Sequence, residues 1–93
     1  MALKESIHVE LPYAHTPSRV EGVLYHWYTY GGAVGHGRYM IVTIDGIEYL
    51  AEKGRILDVE SREIGTYRPF YGKPGFVLHM SRAWVERYAS IAA

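Results

Sequence analysis

Five histidines are the first residues in this chain whose type could do chemistry: His8, His15, His26, His36 and His79. No two of them stand in H-x-H, H-x3-H or H-E-x2-H spacing, so no single strand or helix face offers a ready pair of ligands. His8 and Glu10 share one face of an alternating stretch and would chelate only weakly. No metal site is expected, although a histidine could still act as a pH-sensitive contact. Ser6, Ser18, Ser61, Ser81 and Ser90 all lack a G-x-S-x-G setting. The chain has no cysteine, which removes thiol nucleophiles, disulfides and Cys-ligated zinc together. Asp45 and Asp58 are the only aspartates, and Asp45 is accounted for by a turn. No catalytic set and no cofactor are expected. An enzymatic alternative would have to centre on His36 or His26 near Arg38.

Binding is better served. Tyr67-Arg68-Pro69-Phe70-Tyr71-Gly72-Lys73 interleaves rings with cations. Single-strand nucleic-acid binders use stacking rings beside a basic groove, and protein interfaces favour Tyr and Arg. The glycine-rich stretch from Gly31 to Arg38 carries His36 and Arg38 but is no phosphate loop, since a strand rather than a helix follows it. The run Tyr25-His26-Trp27-Tyr28-Thr29-Tyr30 sends Tyr25 and Trp27 to one face of a strand and His26, Tyr28 and Tyr30 to the other. One face fills a core; the second is either packed by another layer or free to bind. The candidate contacts are Tyr28, Tyr30, His36, Arg38, Tyr67, Arg68, Tyr71 and Lys73.

These residues must be positioned by strands. Ser6 to Leu11 alternates, with Ile7, Val9 and Leu11 on the apolar side. Pro12 to Ser18 is a loop. Arg19 to Tyr30 reads as one long strand in which Gly22 marks a bulge or bend. Tyr39–Ile44 and Ile47–Glu52 flank Asp45-Gly46, a strong type I′ hairpin signal. That turn sets Ile44 opposite Ile47, Val42 opposite Tyr49 and Met40 opposite Ala51 on the core face. Arg55 to Glu60 is a further strand with Leu57 and Val59 inward, and the charges of Glu52 to Glu63 suit a solvated edge. Arg62 to Tyr71 is irregular, Gly72-Lys73-Pro74-Gly75 is a turn, and Phe76 to Met80 is the last strand. Ser81 can cap a C-terminal helix with Trp84, Tyr88 and Ile91 on one stripe.

The expected fold is mainly β with one C-terminal α-helix: a small antiparallel curled sheet or SH3-like partial barrel of about six strands. Its 93 residues suggest a single domain, 1–93. Ten basic and ten acidic residues give a formal net charge of zero. Bulk charge therefore does not draw the chain to nucleic acid, where phosphate neutralisation dominates affinity. It also protects weakly against self-association, so a homo-oligomer is compatible. No stretch has the length of a membrane span or the apolar core of a signal peptide, which fits a cytoplasmic protein without a membrane partner. The function read from the sequence is a small non-enzymatic module that binds another protein, as an inhibitor, adaptor or assembly subunit of the kind phages and mobile elements carry. The alternative is a barrel that binds single-stranded nucleic acid.

Overall fold

The computed structural model describes residues 6–13, 16–31 and 38–89. Eight antiparallel strands form one sheet that curls into a nearly closed barrel. They are β1 (Ser6–Leu11), β2 (Ser18–Val20), β3 (Val23–Gly31), β4 (Arg38–Ile44), β5 (Ile47–Glu52), β6 (Arg55–Leu57), β7 (Glu63–Pro69) and β8 (Phe76–Ser81). Their spatial order is β1-β8-β7-β6-β5-β4-β3-β2. Each strand from β2 to β8 pairs with its neighbour in sequence, and β1 returns to pair with β8. A helical turn, α1 (Arg82–Trp84), runs into a π-helical segment, Val85–Ala89.

Two strands exceed the expected six: β2, split from β3 by a two-residue turn, and β7, which forms within the stretch Arg62 to Tyr71 that reads as irregular. Glu21-Gly22, Asp45-Gly46 and Lys53-Gly54 all have positive φ at both positions, 51° and 83°, 51° and 86°, and 53° and 81°. This is the backbone of a type I′ turn, whose twist matches the strands it joins. Gly22 is therefore not a bulge within one strand: it closes a hairpin in which Val20 faces Val23. The sequence signal is weaker there because Glu, unlike Asp or Asn, seldom takes positive φ. Around Asp45-Gly46 the expected register holds from Ile44 opposite Ile47 to Met40 opposite Ala51. Asp45 also ties this turn to β3: its Oδ1 accepts from the Leu24 amide at 2.9 Å, and its own amide donates to the Leu24 carbonyl at 2.8 Å.

The interior is built from alternate residues of the strands. Ile7, Val9, Leu11, Tyr25, Val42, Ile44, Ile56, Leu78 and Met80 are almost wholly excluded from solvent. At roughly 25 cal/mol per Å2 of apolar surface removed from water, this single cluster supplies the main driving force for folding. Tyr25 and Trp27 face inward, as the alternation of β3 requires. The indole of Trp27 donates to the Leu11 carbonyl at 3.1 Å and so spans the seam between β3 and β1.

One strand runs differently from its expected course. β6 ends at Leu57, and the register slips between Ile56 and Leu57 where it pairs with β7. Ile56 faces the core opposite Ala51, and Leu57, opposite Leu50, is buried as well, as expected of it. Val59 is not inward; it lies in the turn after β6 and is 92% exposed. Asp58 causes this break. Its Oδ1 accepts from the amides of Glu60 and Arg62, both at 2.9 Å, folding the chain back where a continuing strand would run straight. Nor is this charged stretch an edge: β6 lies between β5 and β7, and the edges are β1 and β2.

Candidate functional site

An up-and-down barrel has two ends. One carries the β3–β4 connection, Lys53-Gly54 and the β7–β8 turn. The other carries Glu21-Gly22, Asp45-Gly46, the β6–β7 turn and the C-terminal helix. The basic and aromatic candidates divide between the first end and the walls. Tyr71 stands 99% exposed in the β7–β8 turn, and Lys73 Nζ lies 5.7 Å from the centre of the Phe70 ring. Tyr30 and Arg38 belong to the strand ends that flank residues 32–37, whereas His36 lies outside the described residues.

Alternation on β7 separates Tyr67 from Arg68. Tyr67 turns inward, where its ring meets Phe76 edge to face at 5.7 Å, and Phe76 meets Trp27 at 4.8 Å. These three rings close the seam beneath the first rim. Arg68 points to the outer wall, near His79. Tyr28 is half-buried on the outer wall of β3, its hydroxyl bonded to Glu48 and its ring 6.0 Å from that of His26. The helix does not cover that face; it packs on Tyr49 from the interior side. The structure thus brings Tyr71 and Lys73 to the end shared with the β3–β4 connection, but Tyr28, Tyr67 and Arg68 do not form one patch with them.

His8 and His79 make an edge-to-face ring pair at 5.2 Å on the outer wall, with Glu10 Oε2 3.0 Å from His8 Nε2. Burial, then the neighbouring His8 and Arg68, hold His79 below the usual histidine range. Among the described residues no group of three or more His, Asp and Glu side chains is arranged to hold a metal ion.

The second end holds a concavity. Ser81 Oγ accepts from the Trp84 amide at 3.3 Å and starts the helix as a serine cap does. Arg82 then reaches back to the β2–β3 turn, where its two terminal nitrogens meet the Glu21 carboxylate at 2.9 and 3.1 Å. This bidentate pairing holds Glu21 below the usual carboxylate range. Val85 is buried against the core. Trp84 lies edge to face with Tyr49, their centres 5.3 Å apart and their planes at 88°, and Tyr88 follows at 5.5 Å from Trp84 and 34°. The helix is thereby strapped across the barrel mouth from the β2–β3 turn to the β6–β7 turn.

Between the strap and the β6–β7 turn opens a cleft of about 240 Å3. Tyr49, Trp84 and Tyr88 form its aromatic wall, and Asp58, Glu60 and Arg62 its polar rim. Arg62 Nε donates to Asp58 Oδ2 at 3.1 Å, and an Arg62 terminal nitrogen donates to Glu60 Oε1 at 2.5 Å. Backbone donation from Arg62, its largest cause, holds Asp58 below the carboxylate range, so it is ionised at neutral pH. Burial, aided by Asp58, raises Tyr49. Val59 and Ile47 complete the rim, and they are 92% and 52% exposed.

None of these rim residues was among the sequence candidates. Alternation places Val59 in the core, and the sequence offers Trp84 and Tyr88 only as part of a helical stripe. The one signal was Asp58-Val59-Glu60-Ser61, a polar stretch able to break a strand. No known protein family, no curated protein and no solved structure matches this chain, so the barrel and its cleft stand as the description of what it is.

Proposed function

We propose that this protein is a non-enzymatic module that binds another protein, as an inhibitor, adaptor or assembly subunit, and that the helix-strapped end is the binding surface. The observation that carries the reading is the exposure of Val59 (92%), Ile47 (52%) and Tyr88 (45%) around one aromatic-walled cleft. Scattered apolar residues on a surface are ordinary, but a group of them rimming a concavity marks interaction sites. Tyr and Trp anchors in a pocket, ringed by polar groups, are the composition of an interface hot spot. A balanced net charge favours a protein over nucleic acid as the partner. A cysteine-free chain accords with a cytoplasmic setting.

The test compares wild type with Val59→Asp as bait in nuclease-treated lysate of the source organism. Val59 is nearly free of contacts, so the substitution leaves the fold intact. A stoichiometric protein held by wild type and lost from the variant is the expected result. A partner held equally by both removes the cleft from the account. Material lost entirely to nuclease would replace a protein partner with nucleic acid and return attention to Arg68 and Lys73.

A further inference from the structure

The outer wall carries a titratable cluster that the helix-strapped end does not use. His8 on β1 and His79 on β8 are direct cross-strand partners, and their rings meet edge to face at 5.2 Å. Partners across a sheet share a face, and so do residues two apart along a strand, which brings the neighbouring row into the cluster. In that row Glu10 pairs with Val77, and Val77 with Arg68 on β7. His79 itself pairs with Thr66 on β7, Thr66 with Arg55 on β6, and Arg55 with Glu52 on β5. On the other side of the histidines Ser6 pairs with Ser81, and neither carries a charge.

With both imidazoles neutral this patch is balanced: Glu10 offsets Arg68, and Glu52 offsets Arg55. Glu10 Oε2 also lies 3.0 Å from His8 Nε2. Proton uptake by both rings leaves a surplus of two positive charges, His8 and His79, beside Arg68 and across β1, β8 and β7. Like charges directly opposite one another on neighbouring strands repel. His79 already registers its surroundings: burial first, then His8 and Arg68, hold it below the usual histidine range. A group depressed in this way takes its proton more readily once the strands part, so acid favours the parted state.

β1 is the strand placed to yield. It is an edge whose backbone pairs with β8 alone, whereas β4 and β5 are paired on both sides. The Trp27 indole holds its last residue, Leu11, from across the seam, which leaves the opposite end of β1 to depend on β8. That end lies beside the root of the helical strap, because Ser6 pairs with Ser81, whose Oγ caps the helix. We propose that the His8–His79 pair is a pH-sensitive latch on the barrel: neutral, it lets β1 close against β8, and doubly protonated, it loosens β1 while the rest of the sheet stays paired.

Amide hydrogen exchange reads the latch strand by strand. Protection factors, which remove the intrinsic pH dependence of exchange, are compared between β1 and the β4–β5 hairpin at about pH 7.5 and about pH 5, on either side of the histidine range. The loss of protection in β1 should exceed that in the hairpin by about threefold or more. His79→Gln should abolish most of that excess, and so should His8→Gln, whose more exposed position keeps the test open if His79→Gln disturbs packing. In the folded protein the His79 ring proton resonance should titrate below the usual histidine range and move up toward it in Arg68→Gln, a change that a merely structural arginine would not produce. Equal losses in β1 and the hairpin overturn the proposal, because the barrel would then open as a whole. An excess that survives both histidine substitutions, or a His79 titration that ignores Arg68→Gln, overturns it as well.

Discussion

Replacing Gly75 with alanine tests the packing of the barrel's open end most severely. Gly75 is buried, has φ of +99°, and an added Cβ would lie 2.4 Å from the Leu11 carbonyl oxygen and 2.5 Å from that of Pro12. A Cβ needs at least 3.0 Å, so backbone has to withdraw by about 0.6 Å or more. The Leu11 carbonyl cannot give freely. It anchors the Trp27 indole, and Leu11 is the last residue of β1 to pair with β8, opposite Phe76. Positive φ alone costs an alanine roughly 1–2 kcal/mol, offset by about 0.4–1 kcal/mol from the less mobile unfolded chain. Forcing the carbonyls apart adds roughly 1–3 kcal/mol of overpacking, and a lost hydrogen bond about 1 kcal/mol. The expected cost is about 3–5 kcal/mol, a large part of the roughly 5–14 kcal/mol that stabilises a chain of this length. Gly46→Ala is the control: its φ is +86°, and nothing lies within 4 Å of the added carbon. It should lose only about 1 kcal/mol. Urea denaturation of both variants gives the comparison. Equal losses, within about 0.5 kcal/mol, would show that the close approach of Gly75 to Leu11 and Pro12 has no energetic weight.

Three other experiments probe interactions elsewhere in the barrel. Tyr25 is fully buried, burial and the charges of Asp45 and Glu21 push its hydroxyl up to about 12, and that oxygen has no protein hydrogen-bond partner among the described residues. Tyr25→Phe should therefore be neutral or stabilising by up to about 1 kcal/mol; a loss above about 1 kcal/mol in urea unfolding would mean the hydroxyl is satisfied. Glu21 has its folded pKa lowered by Arg82, so the coupling between them is present above the ordinary value of 4.5 and fades as pH falls through the depressed one. A double-mutant cycle with Glu21→Gln and Arg82→Gln should show coupling at pH 7 that shrinks at pH 3 and in high salt. His79 is also depressed, so the unfolded chain takes up its proton first and stability declines as pH drops below 6.5, with the full loss reached under the folded value. His79→Gln should flatten thermal stability between pH 7 and pH 5; an unchanged slope would assign that dependence to other groups.

The contrast between β4–β5 and β6 shows what the sequence made legible. Asp45-Gly46 between alternating apolar runs predicted a register that the structure reproduces pair by pair, because turn type and hydrophobic face specified the same pairing. The barrel class, the shared face of Tyr25 and Trp27, and the Ser81 cap were likewise readable from local chemistry. The strand count was not: Glu21-Gly22 uses a residue that rarely adopts positive φ, and β7 lies where the apolar residues Ile64, Tyr67 and Phe70 are irregularly spaced. β6 misled for a different reason. Ile56 and Leu57 are both buried, so strict alternation fails within the strand, and Asp58 turns the chain before Val59 could continue it. The cleft was invisible for the same reason: its rim residue Val59 looked like core. Its rings come from β5 and the C-terminal helix, which only the closed barrel brings together.

The pairing of β1 with β8 governs the order in which the barrel can form during synthesis. Every other pairing joins neighbours in sequence and closes a short loop, whereas Ser6 meets Ser81 only after all the strands between them exist. Closing so long a loop costs more entropy than any hairpin does. The hairpins from β2 to β7 can therefore assemble while β1 waits, with Ile7, Val9 and Leu11 showing an apolar row to solvent until β8 arrives. On the ribosome, β1 is the first of the barrel's strands to be made and the last to be placed. Until the last strand emerges, the barrel's vulnerability to aggregation sits at its beginning.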